Sequence, residues 1–532
     1  MADPVGPTPV RYRFSPLERR GIIAGWRGGQ IAAVATSLVL AVILLRARPT
    51  IGGLVIAVSS VGCGVAVAFW PVRGHTPEQW LPLVTRWSLT GPDGRTQVAP
   101  GPGRGYVVGR PTGTSRTPAV APIASPSIDL VAGRRRRGVF DGVRLKELPL
   151  LIDGGDRRAG VVIDGPARTA TVALAVRGHS FALLSMTDQE SRVAAWAGVL
   201  ASLAREGSAV HRLQWIESCL PDDGGSVHRH FVDHAVLASE SPAARSYRAL
   251  LDEAAPVTRR HRMLLCLTVH TSRSARAIRA AGGGDHGCGA VLGREVLALC
   301  QALDGADVGV DGVLGPGALA RFVRRAYSGR ASADARTGSD DVVEDAAGHD
   351  ASDRSDTHEG AHEWPWPMAV RPEWDAARTD GTWHATYWIA EWPRVDVTPD
   401  FLGPLLFAPL RRSLVVVMEP VSPTRAARQV ARARTADIAD GELRRRSGFL
   451  VSARQHRERH GVEERDAELA DGHGQFRFSG YVTLTAESRS GLQAAATSLE
   501  QLAGQSHLEL RRLYGQQDVA FACSLPLGRG LS

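Results

Sequence analysis

The chain has 532 residues, a formal charge of +8 and 44% apolar residues. That length allows about three folded units, and the apolar share excludes a chain that is disordered throughout. Its single lysine, Lys146, stands between Leu145 and Glu147, which excludes the Gly-Lys-Ser or Gly-Lys-Thr phosphate loop of an ATPase, because that loop needs an ammonium to reach the phosphates.

Residues 1–27 are polar and basic, and no small-residue cleavage pattern follows the first apolar run, so retained membrane helices are expected rather than a cleaved leader. Gly28–Leu45 and Pro49–Val72 carry no charge, and each run is about the 17–25 residues that a bilayer core requires. The turn Arg46-Ala47-Arg48-Pro49-Thr50 between them makes residues 28–72 an expected two-helix transmembrane hairpin. Trp26 and Trp70 fall at its two ends, where indole rings suit the interface, with Arg27 and Arg73 beside them. Arg11, Arg13, Arg19, Arg20, Arg27, Arg73 and Arg86 flank the spans against Arg46 and Arg48 in the turn, so both termini are expected in the cytoplasm. Small residues recur at Gly29, Ala33, Ser37 and Ala41, and again at Ser60, Gly64 and Ala68. Such ridges let helices approach closely, against each other or against a partner.

Residues 73–138 read as a connector, rich in Gly, Pro, Ser and Thr from residue 88 to about 130. Gly101-Pro102-Gly103-Arg104-Gly105 has no helical pattern after it and does not read as a nucleotide loop. Arg134–Arg137 reads as a solvated loop, with anionic lipid headgroups or nucleic acid as the other readings.

Residues 139–330 alternate strand and helix patterns and form the first α+β lobe. Strands are expected over Thr169–Arg177, Phe181–Ser185, Val210–Glu217 and Met263–His270. Helices are expected from Thr187-Asp188 to about Arg205, over Arg245–Ala255 and Gly289–Leu303, and from Leu314-Gly315-Pro316 to Tyr327. Residues 331–362 carry Asp340, Asp341, Glu344 and Asp345 with almost no apolar mass, the composition of a disordered acidic linker.

Residues 363–532 form the second α+β lobe, opening with Trp364, Trp366, Trp374, Trp383, Trp388 and Trp392. Trp383–Arg394 reads as a strand. Core packing, a protein interface and stacking on nucleic acid are all open to these rings, and Trp383, Trp388 and Trp392 are the candidate partner contacts. Ser413–Glu419, Phe476–Ala486 and Leu508–Leu513 read as strands, and Ser490–Leu502 as a helix. Between them, Thr424 to about Leu469 reads as two helices broken at Asp440-Gly441, and Tyr514–Ser524 as an extended run. The expected fold class is thus α+β: a transmembrane hairpin followed by a cytoplasmic two-lobed sheet-and-helix region.

No residue is nominated as catalytic, and no cofactor or metal is expected. His228, His230 and His234 crowd together as a surface cluster, with a shared metal as the alternative. The six cysteines, Cys63, Cys219, Cys266, Cys288, Cys300 and Cys523, form no C-x-x-C pair and read as reduced thiols. Neither G-x-S-x-G nor H-E-x-x-H occurs.

The block Arg11–Gly21 followed by the apolar hairpin resembles actinobacterial membrane proteins of type IV secretion-like and integrative conjugative elements, and the hairpin looks like PrgI-like subunits. Trp383–Val395, Val415–Val421, Phe478–Val482 and Leu510–Leu527 extend the resemblance, and the carboxy half is similar to the amino-terminal domain of CagE/TrbE-type secretion ATPases. In those proteins a motor domain follows. Here the chain stops at Ser532, so the resemblance carries no nucleotide hydrolysis with it. It implies a multi-pass scaffold of the cell membrane, with a lipid bilayer, further membrane subunits, a separate motor ATPase and copies of itself as partners. A nucleic-acid-binding accessory of conjugation is the alternative, favoured by the arginine runs and net charge.

Overall fold

The structure is a computed structural model that describes residues 28–47, 49–69, 77–89, 97–98, 138–152, 155–178, 181–221, 231–232, 234, 241–254, 259–328, 365–447 and 453–531. Trp26, Arg27, Trp70, Arg73, Gly101–Gly105, Arg134–Arg137, His228, His230 and the acidic linker lie outside them.

The apolar runs form α1 (Gly28–Ala47) and α2 (Ile51–Phe69), which pack antiparallel. Gln30 Nε2 donates to Ala68 O at 3.1 Å, tying the start of one helix to the end of the other. Gln30–Ala47 is long and apolar enough to cross a membrane by length and composition, whereas the apolar part of the second helix, Ile51–Ala66, is shorter. The second charge-free run was expected to be a full span. Within it α2 has 19 residues, with Pro49 and Thr50 before the helix and Phe69 at its end. The short amphipathic helix α3 (Pro77–Leu89) follows.

Among the described residues, thirteen strands form one sheet in which every pairing is antiparallel. One half holds β2 (Val143–Ile152), β3 (Gly155–Asp164), β4 (Thr169–Arg177), β5 (Val210–Pro221), β6 (Arg259–His270) and β7 (Gly309–Val313). The other holds β8 (Ala369–Pro372), β9 (Ala377–Thr379), β10 (Thr382–Glu391), β11 (Arg412–Val421), β12 (Gln475–Ala486) and β13 (Glu509–Arg512). The order is β1-β8-β9-β10-β12-β11-β5-β6-β4-β3-β2, where β1 (Gln97–Val98) comes from the connector, β13 pairs with β10, and β7 pairs with β4. The two lobes are therefore halves of one sheet, joined where β5 pairs with β11 from Arg412↔Cys219 to Met418↔Leu213.

The halves repeat one another. β2 to β7 and β8 to β13 follow the same sequence of pairings, reflected about the β5–β11 seam. In each half the third strand takes the second strand along its beginning and the sixth along its end, with a register shift in the latter pairing. Thr171 faces Thr268 across β4 and β6, and Thr386 faces Thr483 across β10 and β12. The hydroxyls are 2.9 Å apart in both pairs. Each member of the second pair lies the same number of residues further along the chain than its counterpart.

Helices cover both faces. α4 (Met186–Leu203) and α7 (Gly284–Asp304) cover one face of the first half, and α12 (Arg489–Gln505), with the one-turn α9 (Gly403–Leu406), covers that of the second. On the opposite face one core crosses the seam: α8 (Pro316–Tyr327) and Phe521–Leu527 pack on Ile216 and Leu264 of the first half and on Val415 and Val417 of the second. Strand β4 is accordingly buried along almost its whole length, which its run of small and β-branched residues permits. Ser185 caps α4 by accepting from Asp188 N, and Ser488 caps α12 by accepting from Gly491 N.

The link from β5 to β6 contains α5 (Pro242–Ala254), and the matching link from β11 to β12 contains the helical hairpin α10 (Pro423–Ser447) and α11 (Ala453–Ala470). α6 (Ala275–Ala280) precedes α7, and α13 (Gln517–Ala522) follows β13.

Three expectations are corrected. Phe181–Leu183 is a 3-10 turn leading into the cap of α4, not a strand, because the space beside β4 is taken by β7. Gly441 lies within α10 rather than between helices; packing against α11 offsets the roughly 1 kcal/mol that a helical glycine costs. The run Tyr514–Ser524 is not extended but contains α13, anchored because Gln517 Oε1 accepts from Thr386 N and its Nε2 donates to Thr386 O.

Candidate anchor and docking surfaces

The small residues at spacing four come together where α1 meets α2. Ser37, Ala41 and Ala68 are buried there, as is the additional Ala57 at 2% exposure, and Ala33, Ser60 and Gly64 are half-buried. A Cβ on Gly64 would lie 2.3 Å from Ser37 Cβ, so only glycine permits this approach. Gly29 belongs to α1 by backbone. Leu38, Val39, Val42, Ile43, Ile51, Val55 and Val58 point outward and are exposed. Small residues inside and large apolar residues outside reverse the pattern of a water-soluble pair.

Helix α3 connects this pair to the sheet through four aromatic rings. Trp80 stacks on Trp374 at 5.7 Å, Trp87 meets the same ring edge-on at 5.5 Å, and Tyr514 lies 5.6 Å from Trp80. The sequence reading missed this group, although the Trp80–Trp87 spacing of two helical turns was legible as one face.

The candidate partner-contact tryptophans are half-buried with intramolecular neighbours. Trp383 lies beneath the guanidiniums of Arg378 and Arg489, at 5.6 and 5.2 Å. Trp388 Nε1 donates to Ser479 Oγ at 3.0 Å. Trp392 meets Phe401 and Phe478 and borders a shallow groove of about 330 Å3 with Arg394, His507 and Glu509. Trp366 is core, stacked on Phe140 at 5.3 Å.

Near the seam, Cys219, His261 and Glu217 stand in the order of a nucleophile, a base and an orienting acid. His261 Nδ1 is 2.7 Å from Glu217 Oε1, and its Nε2 is 3.9 Å from Cys219 Sγ. The chemistry does not follow from the order. Burial pushes the Cys219 thiol up, away from the thiolate a nucleophile needs, and Glu217 is held by the fully buried Arg412. Arg412 also donates to the carbonyls of Leu405 and Leu406, so the cluster is a clamp between halves. Spacing alone could not reveal it, because Cys219 and His261 meet only through the β5–β6 register.

At the other end of β5, His211 and His270 lie edge to face at 5.2 Å, with Arg273 Nη1 3.3 Å from His211 Nδ1. Burial and the neighbouring guanidiniums lower His211 to about 4. His384 is fully buried between Thr379 Oγ1 at 2.6 Å and Thr485 Oγ1 at 3.0 Å, and burial lowers it to about 3. Lys146 pairs with Asp285 at 2.8 Å and joins β2 to α7. His234 is exposed. Among the described residues no group of three His, Cys, Asp or Glu side chains could hold a metal ion.

Compared with known proteins, the chain matches no protein-family model and no curated protein.

Proposed function

We propose that this chain is a non-catalytic, multi-pass scaffold subunit of a type IV secretion-like or conjugative DNA-transfer machine, and that it docks a separate motor ATPase at the inner face of the cell membrane. The observation that carries the reading is the α1–α2 pair, with small residues packed inside and large apolar residues exposed outside, tied by α3 to a broad sheet. The two helices anchor the chain, both termini face the cytoplasm, and the sheet offers its surfaces to other subunits. Membrane tethering raises the effective concentration of sheet and motor. The test is fractionation of cells expressing the tagged chain, followed by purification in mild detergent. Release into the soluble fraction without detergent sinks the anchor, and failure of an intact motor ATPase to co-purify sinks the docking.

A second reading is a nucleic-acid-binding accessory. Helix α10 favours it, with seven arginines against three acidic residues in its sequence. Filter binding across a salt series separates the two, since phosphate contacts give a steep salt slope.

A further inference from the structure

Helix α3 has one face on the sheet and another on which Leu81 and Val84 are exposed. Trp80 and Trp87 occupy the first, closing on Trp374 and Tyr514. The joint is stiffened from the sheet side. Gly515 N donates to Trp374 O at 2.6 Å, and Gly515 has a φ of +68° that a side chain would strain. The other face carries Leu81 and Val84, 66% and 43% exposed, beside Thr85 and Ser88. Thr85 turns its hydroxyl back onto Leu81 O at 2.7 Å. None of these four residues is charged.

We infer that the Leu81–Val84 face of α3 lies on the headgroup boundary of the bilayer that holds α1 and α2, so that the aromatic group is a joint fixing the edge of the sheet against the membrane. This rests on the anchor reading above. The occupant is lipid for two reasons. First, α3 packs against α2, and the seven residues between them reach no more than about 25 Å, so α3 stays close to the end of the anchor. Second, a patch of apolar and small polar residues backed by indoles suits the acyl–headgroup boundary. The geometry divides the labour: tryptophans bind protein on one side while aliphatic side chains meet lipid on the other.

The test uses the full chain in nanodiscs containing phosphatidylcholine spin-labelled near the headgroup, with a parallel set labelled along the acyl chain for the reading at position 40. Cys63 and Cys300 are first replaced by serine, because the other four cysteines are buried. A fluorophore is then attached to cysteine in L81C, V84C, L40C on the outer side of α1, or Q493C on the exposed side of α12. Quenching at positions 81 and 84 is expected to exceed that at 493 by about twofold or more and to accompany a blue-shifted emission. Quenching at 40 with none above the 493 level at 81 and 84 overturns this inference and leaves the anchor standing. No quenching at 40 overturns the anchor and this inference with it.

Discussion

Arg412 on β11 reaches across the seam to Glu217 on β5, and it is among the largest fully buried side chains of the described residues. On the opposite face Arg212 of β5 approaches Glu419 of β11 at 3.7 Å. Each half thus supplies an arginine to a glutamate of the other. Removing one partner of a buried pair leaves an uncompensated charge, so R412A is expected to destabilise the protein by about 3–5 kcal/mol. Thermal unfolding in detergent measures it. An apolar double replacement, R412M with E217L, should recover much of the loss; no recovery would show that Arg412 acts mainly through the Leu405 and Leu406 carbonyls.

The contact of Gly64 with Ser37 leaves no room for a side chain. G64L is expected to separate α1 from α2. Cysteines placed at Ala33 and Ala68 on a C63S background should cross-link readily, and G64L should remove more than about half of that yield. An unchanged yield would mean that the pair accommodates a side chain at position 64 without separating.

Helix α7 rides directly on the backbone of the edge strand β2. A Cβ on Gly289 would lie 2.3 Å from Pro149 O, and one on Gly293 would lie 2.9 Å from Leu151 O. A helix covering an edge strand protects it from pairing with other chains. G289V is expected to cost about 1–3 kcal/mol or more by overpacking, seen as a lower melting temperature, and to increase aggregation seen by light scattering.

Buried His384 predicts an acid-sensitive fold. Its pKa, about 3 in the folded chain, lies below the ordinary 6.5. Its stabilising contribution is therefore full above pH 6.5 and is lost progressively as pH falls toward 3. At pH 5 the loss from this group is about 2 kcal/mol. His211, lowered to about 4, acts in the same direction. Melting temperatures at pH 7.5 and 5.0 should differ less in H384Q than in the parent chain. An equal difference would place the acid sensitivity elsewhere.

The strands that periodicity identified are those whose burial is decided locally. Thr169–Arg177, Met263–His270 and Ser413–Glu419 fall within β4, β6 and β11. The hairpin of β2 and β3 was not legible. Its charged residues Lys146, Glu147, Arg157 and Arg158 belong to a sheet edge and interrupt any apolar alternation. Gln517–Ala522 misled because its helix depends on Gln517 gripping a strand far away in sequence. The α1–α2 contact residues were readable because spacing four on a helix is a local property. The aromatic joint required Trp374 and Tyr514 to be brought to α3 by the sheet, and only the α3 half of it was visible in advance.

The matching positions of α5 and the α10–α11 arm have a mechanical consequence. Each hangs from strands that clamp each other to the last residue, Pro221 opposite Arg259 and Val421 opposite Gln475. Lengthening either excursion adds little closure entropy and leaves the root untouched. Because β5 and β11 run in opposite directions, the two excursions leave from opposite ends of the seam. A single rigid plate can therefore hold two unlike grips pointing apart, each free to diversify without disturbing the other.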